Sequence, residues 1–374
     1  MKNCNILIIS PEHWSGLELS KHHYAKTLAF AGFRVFFLNP PDDSLGSISV
    51  SPICDMPGVF SVSSPKVVIG LRFLPQYFRQ FLEKRWIQKL EAQLDTRINV
   101  VWLFENSRFF DMGFAGDRLK IYHQVDLNQD LHPDRAAHTA DICFCTSDGI
   151  RGSLLPHNPL VYKIHHGTAL PAQPIALTEA QNTNYAFHGQ NACYVGNLDM
   201  VYLDAELLAK VVQTYPTVRF HFIGGYSSQG HLHQLTASCP NVVWWGKVPS
   251  ALIPAILERA DIVLCTYKAA QYREQLASPH KFMEYLASGK TIVATYTEEY
   301  KDKRHLLEMV DDASDYVSTV GRVLADLPEY NSPARQAQRV AFALAHSYPK
   351  QLDKILSILK THGLAEPFTR NEHQ

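Results

Sequence analysis

The sequence has no excess of either charge: its 374 residues carry 35 Lys and Arg against 36 Asp and Glu, a formal net charge of −1. So even a balance leaves no whole-chain footprint for nucleic acid, which is not expected as a partner. Long apolar runs are also missing. Nowhere do 18 apolar residues follow one another, so no membrane-spanning helix is expected. The opening run Ile6-Leu7-Ile8-Ile9 is too short for the core of a signal peptide, and a cytoplasmic chain is the expectation. The seven cysteines contain no Cys-x-x-Cys pair, and most sit in apolar runs such as Ile142-Cys143-Phe144-Cys145, as reduced thiols do when they serve as small core residues. The eighteen histidines contain no HxxH or HExxH spacing, so no metal site is expected.

What the chain does have is alternation. Short β-branched and aromatic runs at 4–9, 34–38, 99–104, 119–125, 141–145 and 161–165 are followed by a second series at 192–195, 218–223, 241–245, 261–265 and 291–295. Many show no polar alternation, as strands buried on both faces of a parallel sheet do. Helical stretches at 18–31, 76–94, 204–214, 250–259 and 280–287 lie between them, which predicts an α/β architecture with right-handed crossovers. A polar segment with prolines, 171–191, reads as a linker between a domain over 1–170 and one over 192–345, with a helical tail over 346–374. Ala140-Asp141-Ile142-Cys143-Phe144-Cys145-Thr146 is echoed by Ala260-Asp261-Ile262-Val263-Leu264-Cys265-Thr266, which fits two similar Rossmann-like domains in tandem.

Chemistry concentrates in Ser278-Pro279-His280-Lys281-Phe282-Met283-Glu284-Tyr285-Leu286-Ala287-Ser288-Gly289. Ser278 suits an N-cap, Pro279 the first helical position and Gly289 the left-handed residue that stops the helix. Such a start turns free amide protons outward beside residues 278–280, an anion site. Lys281 adds a full positive charge in the first turn, outside the expected core, and Glu284 follows on the same face. This cation and carboxylate can meet a diphosphate and neighbouring ribose hydroxyls, or simply form a surface pair worth a few tenths of a kcal/mol.

The stretch resembles the donor-site helix of GT-B glycosyltransferases, in particular the family-4-like and xanthan glucuronosyltransferase-like enzymes of bacterial surface polysaccharide synthesis. Tyr194-Val195-Gly196-Asn197-Leu198, Phe222-Ile223-Gly224-Gly225, Asn241-Val242-Val243-Trp244-Trp245-Gly246-Lys247-Val248-Pro249 and Ile121-Tyr122-His123-Gln124-Val125-Asp126 resemble further motifs of these enzymes, in their order. The resemblance implies two Rossmann-like domains facing each other across a cleft, with C-terminal helices packing back toward the N-terminal domain. It implies transfer of a sugar from a nucleotide-sugar, UDP being the nucleotide favoured, to a glycan acceptor that is lipid-linked. Lys281 would contact the diphosphate with the amides of Pro279's neighbours, Ser278 and His280, and Glu284 would hold the ribose. Gly196 and Asn197 would let the backbone approach the phosphates, and Gly246 and Lys247 would flank the base. Lys, Arg and helix amides would replace a metal ion, so neither metal nor other cofactor is expected.

Two departures from the family pattern matter. Ser10-Pro11-Glu12-His13-Trp14-Ser15-Gly16 replaces the usual Gly-rich first loop. The two glutamates eight residues apart of retaining enzymes are reduced to Glu284, position 276 being Leu, so inversion and retention both stay open. An inverting transfer needs a general base, for which Asp126, just beyond a buried strand, is the candidate; the same Asp126 equally suits a cap on the loop 127–133. Glu12, His13 and Glu105 are further acceptor-side candidates. Asp311-Asp312-Ala313-Ser314-Asp315 has the look of a metal-binding DxD but suits a helix cap better.

Residues 66–90 carry Lys66, Arg72, Arg79, Lys84, Arg85 and Lys89 against Glu83 alone, interleaved with Phe73, Leu74, Tyr77, Phe78, Phe81, Leu82 and Trp86 at near-helical spacing. The pattern suits a core helix with a solvated basic face, or else an anionic membrane surface. Two other readings of the whole chain remain: an NAD-dependent oxidoreductase or epimerase, for which the GxGxxG after the first strand is missing, and a non-catalytic two-domain sugar-binding protein.

Overall fold

The computed structural model of the protein describes residues 4–16, 18–67, 70–104, 108–127, 131–169, 175–178 and 187–369. Contacts divide the chain into two units, Met1–His165 with Tyr348–Gln374, and His166–Ser347. The division falls a few residues before position 170, and the last segment groups with the first unit instead of standing apart. Most of the linker expected over 171–191 lies outside the described residues.

The first unit holds an eight-stranded sheet built from β1 (Asn5–Ile9), β2 (Arg34–Leu38), β3 (Ser49–Pro52), β4 (Val59–Ser63), β5 (Val100–Leu103), β6 (Leu119–Gln124), β7 (Ile142–Cys145) and β8 (Val161–Lys163), in the order β3-β4-β2-β1-β5-β6-β7-β8. Every neighbouring pair is parallel except β3 with β4. Ile6 and Ile8 of β1 enter one hydrophobic core while Leu7 and Ile9 enter another on the opposite face. A strand covered on both faces cannot show polar alternation, and each such side chain contributes roughly 1.5–3 kcal/mol of burial. Helix Tyr348–Thr361 places Tyr348, Leu352, Ile355 and Leu359 on one stripe against the first of these cores, and Tyr348 stacks on His23 of helix Ser20–Phe30.

The second unit holds β9 (Asn191–Val195), β10 (Arg219–Ile223), β11 (Val242–Gly246), β12 (Ile262–Cys265), β13 (Thr291–Ala294) and β14 (Glu308–Met309), all parallel, in the order β11-β10-β9-β12-β13-β14. Again alternate residues divide between two cores, Val263 and Cys265 on one face, Ile262 and Leu264 on the other. Three strands were not expected from the sequence. β3 and β4 belong to a polar stretch at one sheet edge, where Ser and Pro suffice because β3 is exposed, and β14 is two residues long.

The echo between residues 140–146 and 260–266 has a mechanical meaning. Asp261 stands just before β12; its amide donates to the Asn191 carbonyl (2.8 Å) and its carboxylate accepts the Asn191 amide (2.7 Å). Asp141, just before β7, does the same with Lys120 of β6 (2.9 and 2.8 Å). The positions differ, however: β12 neighbours the first strand of its sheet, whereas β7 lies two places beyond β5. The first-sheet counterpart of Asp261 is Asn99, which joins the start of β5 to Asn5 (2.9 and 2.8 Å). The echo therefore repeats a way of starting a parallel pair, not a place in the fold. Asp261→Ala leaves the buried Asn191 amide without an acceptor and is expected to cost about 1–3 kcal/mol in denaturant unfolding, while Asp261→Asn, which keeps an acceptor, is expected to cost less.

Candidate functional site

In the second sheet the chain passes from β9 to β10 on one side and returns to β12 on the other, a topological switch at whose carboxyl end open α/β sheets bind ligands. β9 and β12 pair only through Ala192 with Ile262 and Cys193 with Val263. Beyond that point Tyr194 and Val195 stay with β10, and Leu264 and Cys265 with β13. The ammonium of Lys281 lies where the strands part, 3.9 Å from the centroid of the Tyr194 ring and 5.1 Å from that of Tyr267, just after β12. Its Nζ is buried and makes no hydrogen bond. Burial pulls its pKa down from 10.5 to about 8, against the opposing pull of Cys265 and Glu284.

The adjoining loops leave room for this cation. Gly196 has φ 145°, and a Cβ there would lie 2.9 Å from the Lys281 Nζ. Gly224 has φ 140°, and a Cβ on it would fall 1.9 Å from the Gly196 carbonyl oxygen, so the two loop backbones touch. Gly196 N–H donates to Ile223 O, and Gly224 N–H to Gly246 O, both at 2.9 Å, which ties the ends of β9, β10 and β11 together.

The expected residues fall into place unevenly. Lys281 is not a surface lysine outside the core. The helix runs Lys281–Ala287 with His280 as N-cap, so Ser278 does not cap it and Pro279 is not its first residue. The reason is local: the Pro279 and His280 carbonyls accept the amides of Phe282 and Met283 three residues on, a tight turn that uses up the entry before the helix begins. Gly289 ends it in the left-handed region, φ 72°. Glu284 is partly buried, which raises its carboxyl pKa although Lys281 draws it the other way. The Asn197 side chain accepts the Asp199 amide (3.0 Å), a turn that shapes the loop after Gly196. Lys247 is exposed, its stem against Gly225. The His280 ring meets that of His166 edge-on at 5.1 Å. Sequence reasoning missed the aromatic seat. Tyr194 and Tyr285 both lie inside quoted motifs, but only the fold shows that they and Tyr267 converge. The Asp312 carboxylate accepts the Ser314 amide (2.8 Å), a cap as expected. Among the described residues no cluster of His, Cys, Asp or Glu is suited to a metal ion.

In the first unit, Glu12 follows β1 and Asp126 follows β6, both at carboxyl ends of parallel strands. Glu12 is ion-paired with the buried Lys21. His13 is exposed, its Nδ1 2.9 Å from Ser15 Oγ. Asp126 is partly buried, and its carbonyl accepts the Gln124 amide group at 3.2 Å. Glu105 lies outside the described residues.

The basic and aromatic segment forms helix Gln76–Leu94. Its inner face buries Arg79, Glu83, Trp86, Ile87 and Leu90, so Arg79 is not part of a basic surface. It pairs with the buried Asp111, and Glu83 beside it is pushed up to about 8 by burial, with Asp111 adding to the rise. Lys66 pairs with Asp43. The outer face presents Tyr77, Phe78 and Phe81, each at least half exposed, preceded by exposed Phe73 and followed by Lys84, Arg85 and Lys89. Among the described residues no helix is long and apolar enough to cross a membrane.

The fold is that of the GT-B glycosyltransferases. Sucrose-phosphate synthase from Thermosynechococcus elongatus superposes with a TM-score of 0.71 at 14% identity, over 97% of this chain and 100% of that one. The lipopolysaccharide glycosyltransferase WaaG gives 0.60 at 12%, over 94% and 99%. The Anabaena protein HepE, in complex with UDP and glucose, gives 0.68 at 13%, over 96% and 100%. Within that fold, residues 189–326 match the family of glycosyl transferases group 1. Bacillus subtilis TuaH, named as a teichuronic acid biosynthesis glycosyltransferase, is 28% identical over 120 residues, a match that spans 29% of this chain and 30% of that relative.

Because burial lowers the pKa of Lys281, the charged form destabilises the ligand-free fold. The neutral-form advantage is complete above about pH 10.5 and is lost as pH falls through about 8. Lys281→Met, which retains the apolar stem, is expected to raise stability at pH 7 by on the order of 1–3 kcal/mol. That gain should shrink between pH 8 and 10.5 in unfolding titrations.

Proposed function

We propose that this protein is a glycosyltransferase of polysaccharide synthesis that moves a sugar from a nucleotide-sugar, a UDP-sugar in the first instance, to a lipid-linked glycan acceptor. The observation that carries the reading is the Lys281 ammonium, seated on Tyr194 without a hydrogen-bond partner at the parting of β9 and β12. A buried cation with no hydrogen-bonded anion lacks what a diphosphate brings, and the match of residues 189–326 to group 1 glycosyl transferases supports the same assignment.

In the transfer, the bond between the sugar's anomeric carbon and the diphosphate oxygen breaks and the nucleoside diphosphate leaves with the electron pair. Lys281 meets the charge that develops on it, with the amides around residues 278–280 beside it, and no metal ion is required. Removing one such donor costs on the order of 3 kcal/mol in the transition state. Gly196 and Asn197 admit the phosphates, Glu284 holds the ribose, and Gly246 with Lys247 borders the base. On the acceptor side the hydroxyl oxygen forms the new bond and its proton passes to the Asp126 carboxylate, with inversion; Glu12, His13 and Glu105 border the acceptor. The enzyme works in the cytoplasm, on the inner face of the cell membrane.

Melting shifts with UDP, GDP and NAD test the class: a shift with a nucleoside diphosphate is expected, and a shift with NAD alone would sink the reading. A diphosphate binds protonated Lys281 best, so its affinity is expected to fall as pH rises above about 8. Lys281→Arg, which stays charged, should flatten that slope. Lys281→Met should reduce transfer roughly 100-fold or more, and Asp126→Asn should nearly stop it with donor binding unchanged.

The exposed Phe73, Tyr77, Phe78 and Phe81, with Lys84, Arg85 and Lys89 behind them, support a membrane contact in which aromatic rings enter the interface and cations meet acidic headgroups. Sedimentation with phosphatidylglycerol-containing vesicles is expected. Phe78→Ser with Phe81→Ser should abolish it, and equal binding by that double variant would refute the contact.

A further inference from the structure

Tyr285 does something that the donor-site reading does not use. Gly196 N–H points toward β10, where it donates to Ile223 O at 2.9 Å. Since successive peptide groups of a strand face opposite sides, the N–H and C=O of Val195 face the β12 side. There β12 has already left, its last pairing with β9 being Val263 with Cys193. The fully buried hydroxyl of Tyr285 stands in that gap. It accepts the Val195 amide proton at 2.8 Å and donates to the Val195 carbonyl at 3.3 Å. A buried peptide group left unpaired would cost about 1–3 kcal/mol for each missing bond.

We infer that Tyr285 is a positioning residue for donor binding: its hydroxyl replaces the missing strand partner of Val195 and so fixes helix Lys281–Ala287 against the loop that begins at Gly196. Lys281 lies one helical turn before Tyr285 on the same face, and its ammonium rests on the ring of Tyr194, the residue before Val195. One phenol thus couples the height of β9 to the place of the cation. A small slip of the helix would move Nζ off the ring or into the Gly196 backbone, where there is no spare room. The inference rests on the proposal that Lys281 meets the donor diphosphate.

The test is a double-mutant cycle in the full chain, with UDP and GDP as titrants. Tyr285→Phe keeps the ring and is expected to weaken nucleotide binding about tenfold and to raise the donor KM more than it lowers kcat. Combined with Lys281→Met, it should weaken binding no further than Lys281→Met alone, because Tyr285 acts through the lysine. An additive loss would make Tyr285 merely structural and overturn the inference. Loss in Lys281→Met with wild-type binding in Tyr285→Phe would overturn it while leaving the donor-site reading intact; unchanged binding in both would overturn that reading first. Hydrogen exchange in the unmodified protein checks the geometry independently of any variant. The Val195 amide should be as protected as its neighbours in β9, and rapid exchange there would overturn the inference.

Discussion

The arrangement of the second unit turns on the parting of two parallel strands. β9 and β12 share two residue pairs and then diverge, each remaining with its outer neighbour. A gap at the carboxyl end of a buried sheet exposes peptide groups that must be satisfied and a hollow that must be filled. The chain fills it from one short helix. Tyr285 supplies the polar partner and Lys281 supplies the filling, with its stem in the gap and its ammonium on an aromatic face. The two touching glycine loops fit the same place, since a side chain at 196 would crowd the ammonium and one at 224 would run into the Gly196 backbone.

Such a seat is a compromise. The ring of Tyr194 gives the cation an electrostatic contact worth about 2 kcal/mol when desolvated, less than burial of the charge removes, so its pKa falls to about 8. The fold therefore holds the cation in place by itself, so that in the donor site proposed above little reorganisation would remain at the moment of binding. Preorganised charge in a dry setting acts more strongly than the same charge in water. An arginine in that place would keep its proton throughout, whereas the lysine loses its own as pH rises through about 8.

Much of this was legible in the sequence, and the exceptions share a cause. Continuous apolar runs gave nearly every central strand because burial on both faces writes itself directly into composition, as at 5–9 and 100–103. The edge strand β3 escaped because an edge tolerates Ser and Pro, and β4 beside it because only Val59 and Val62 of its five residues are buried. At the site, the stretch from Ser278 to Gly289 stood out, but its helix begins at Lys281 and its lysine points inward. Helical spacing says which residues share a face and not which face is buried. Tyr194, Tyr267 and Tyr285 were unreadable for a similar reason: the first two flank the ammonium and the third reaches Val195 only where two strands separate. In helix Gln76–Leu94 the same limit made Arg79 look like surface charge when it serves the buried Asp111.

The two sheets offer an internal comparison that sharpens the reading of Lys281. Asn99 and Asp261 occupy matching places, each starting the strand that flanks the first strand of its sheet, so the residues after β1 correspond to those after β9. After β1 stands Glu12, and the nearly fully buried lysine that faces it, Lys21, is answered by that carboxylate. After β9 stands Gly196, and the lysine that faces it, partly buried with its ammonium fully so, finds an aromatic ring and no acidic partner at hydrogen-bonding distance. A lysine paired with a carboxylate of its own chain is electrostatically complete and resists an incoming anion, which would have to displace the glutamate. A lysine held on a ring is incomplete, and an anion that reaches it gains the full interaction. The chain thus contains both solutions to a buried ammonium, and only the second fits the donor-site reading proposed above, because it leaves the ammonium without a hydrogen-bonded carboxylate.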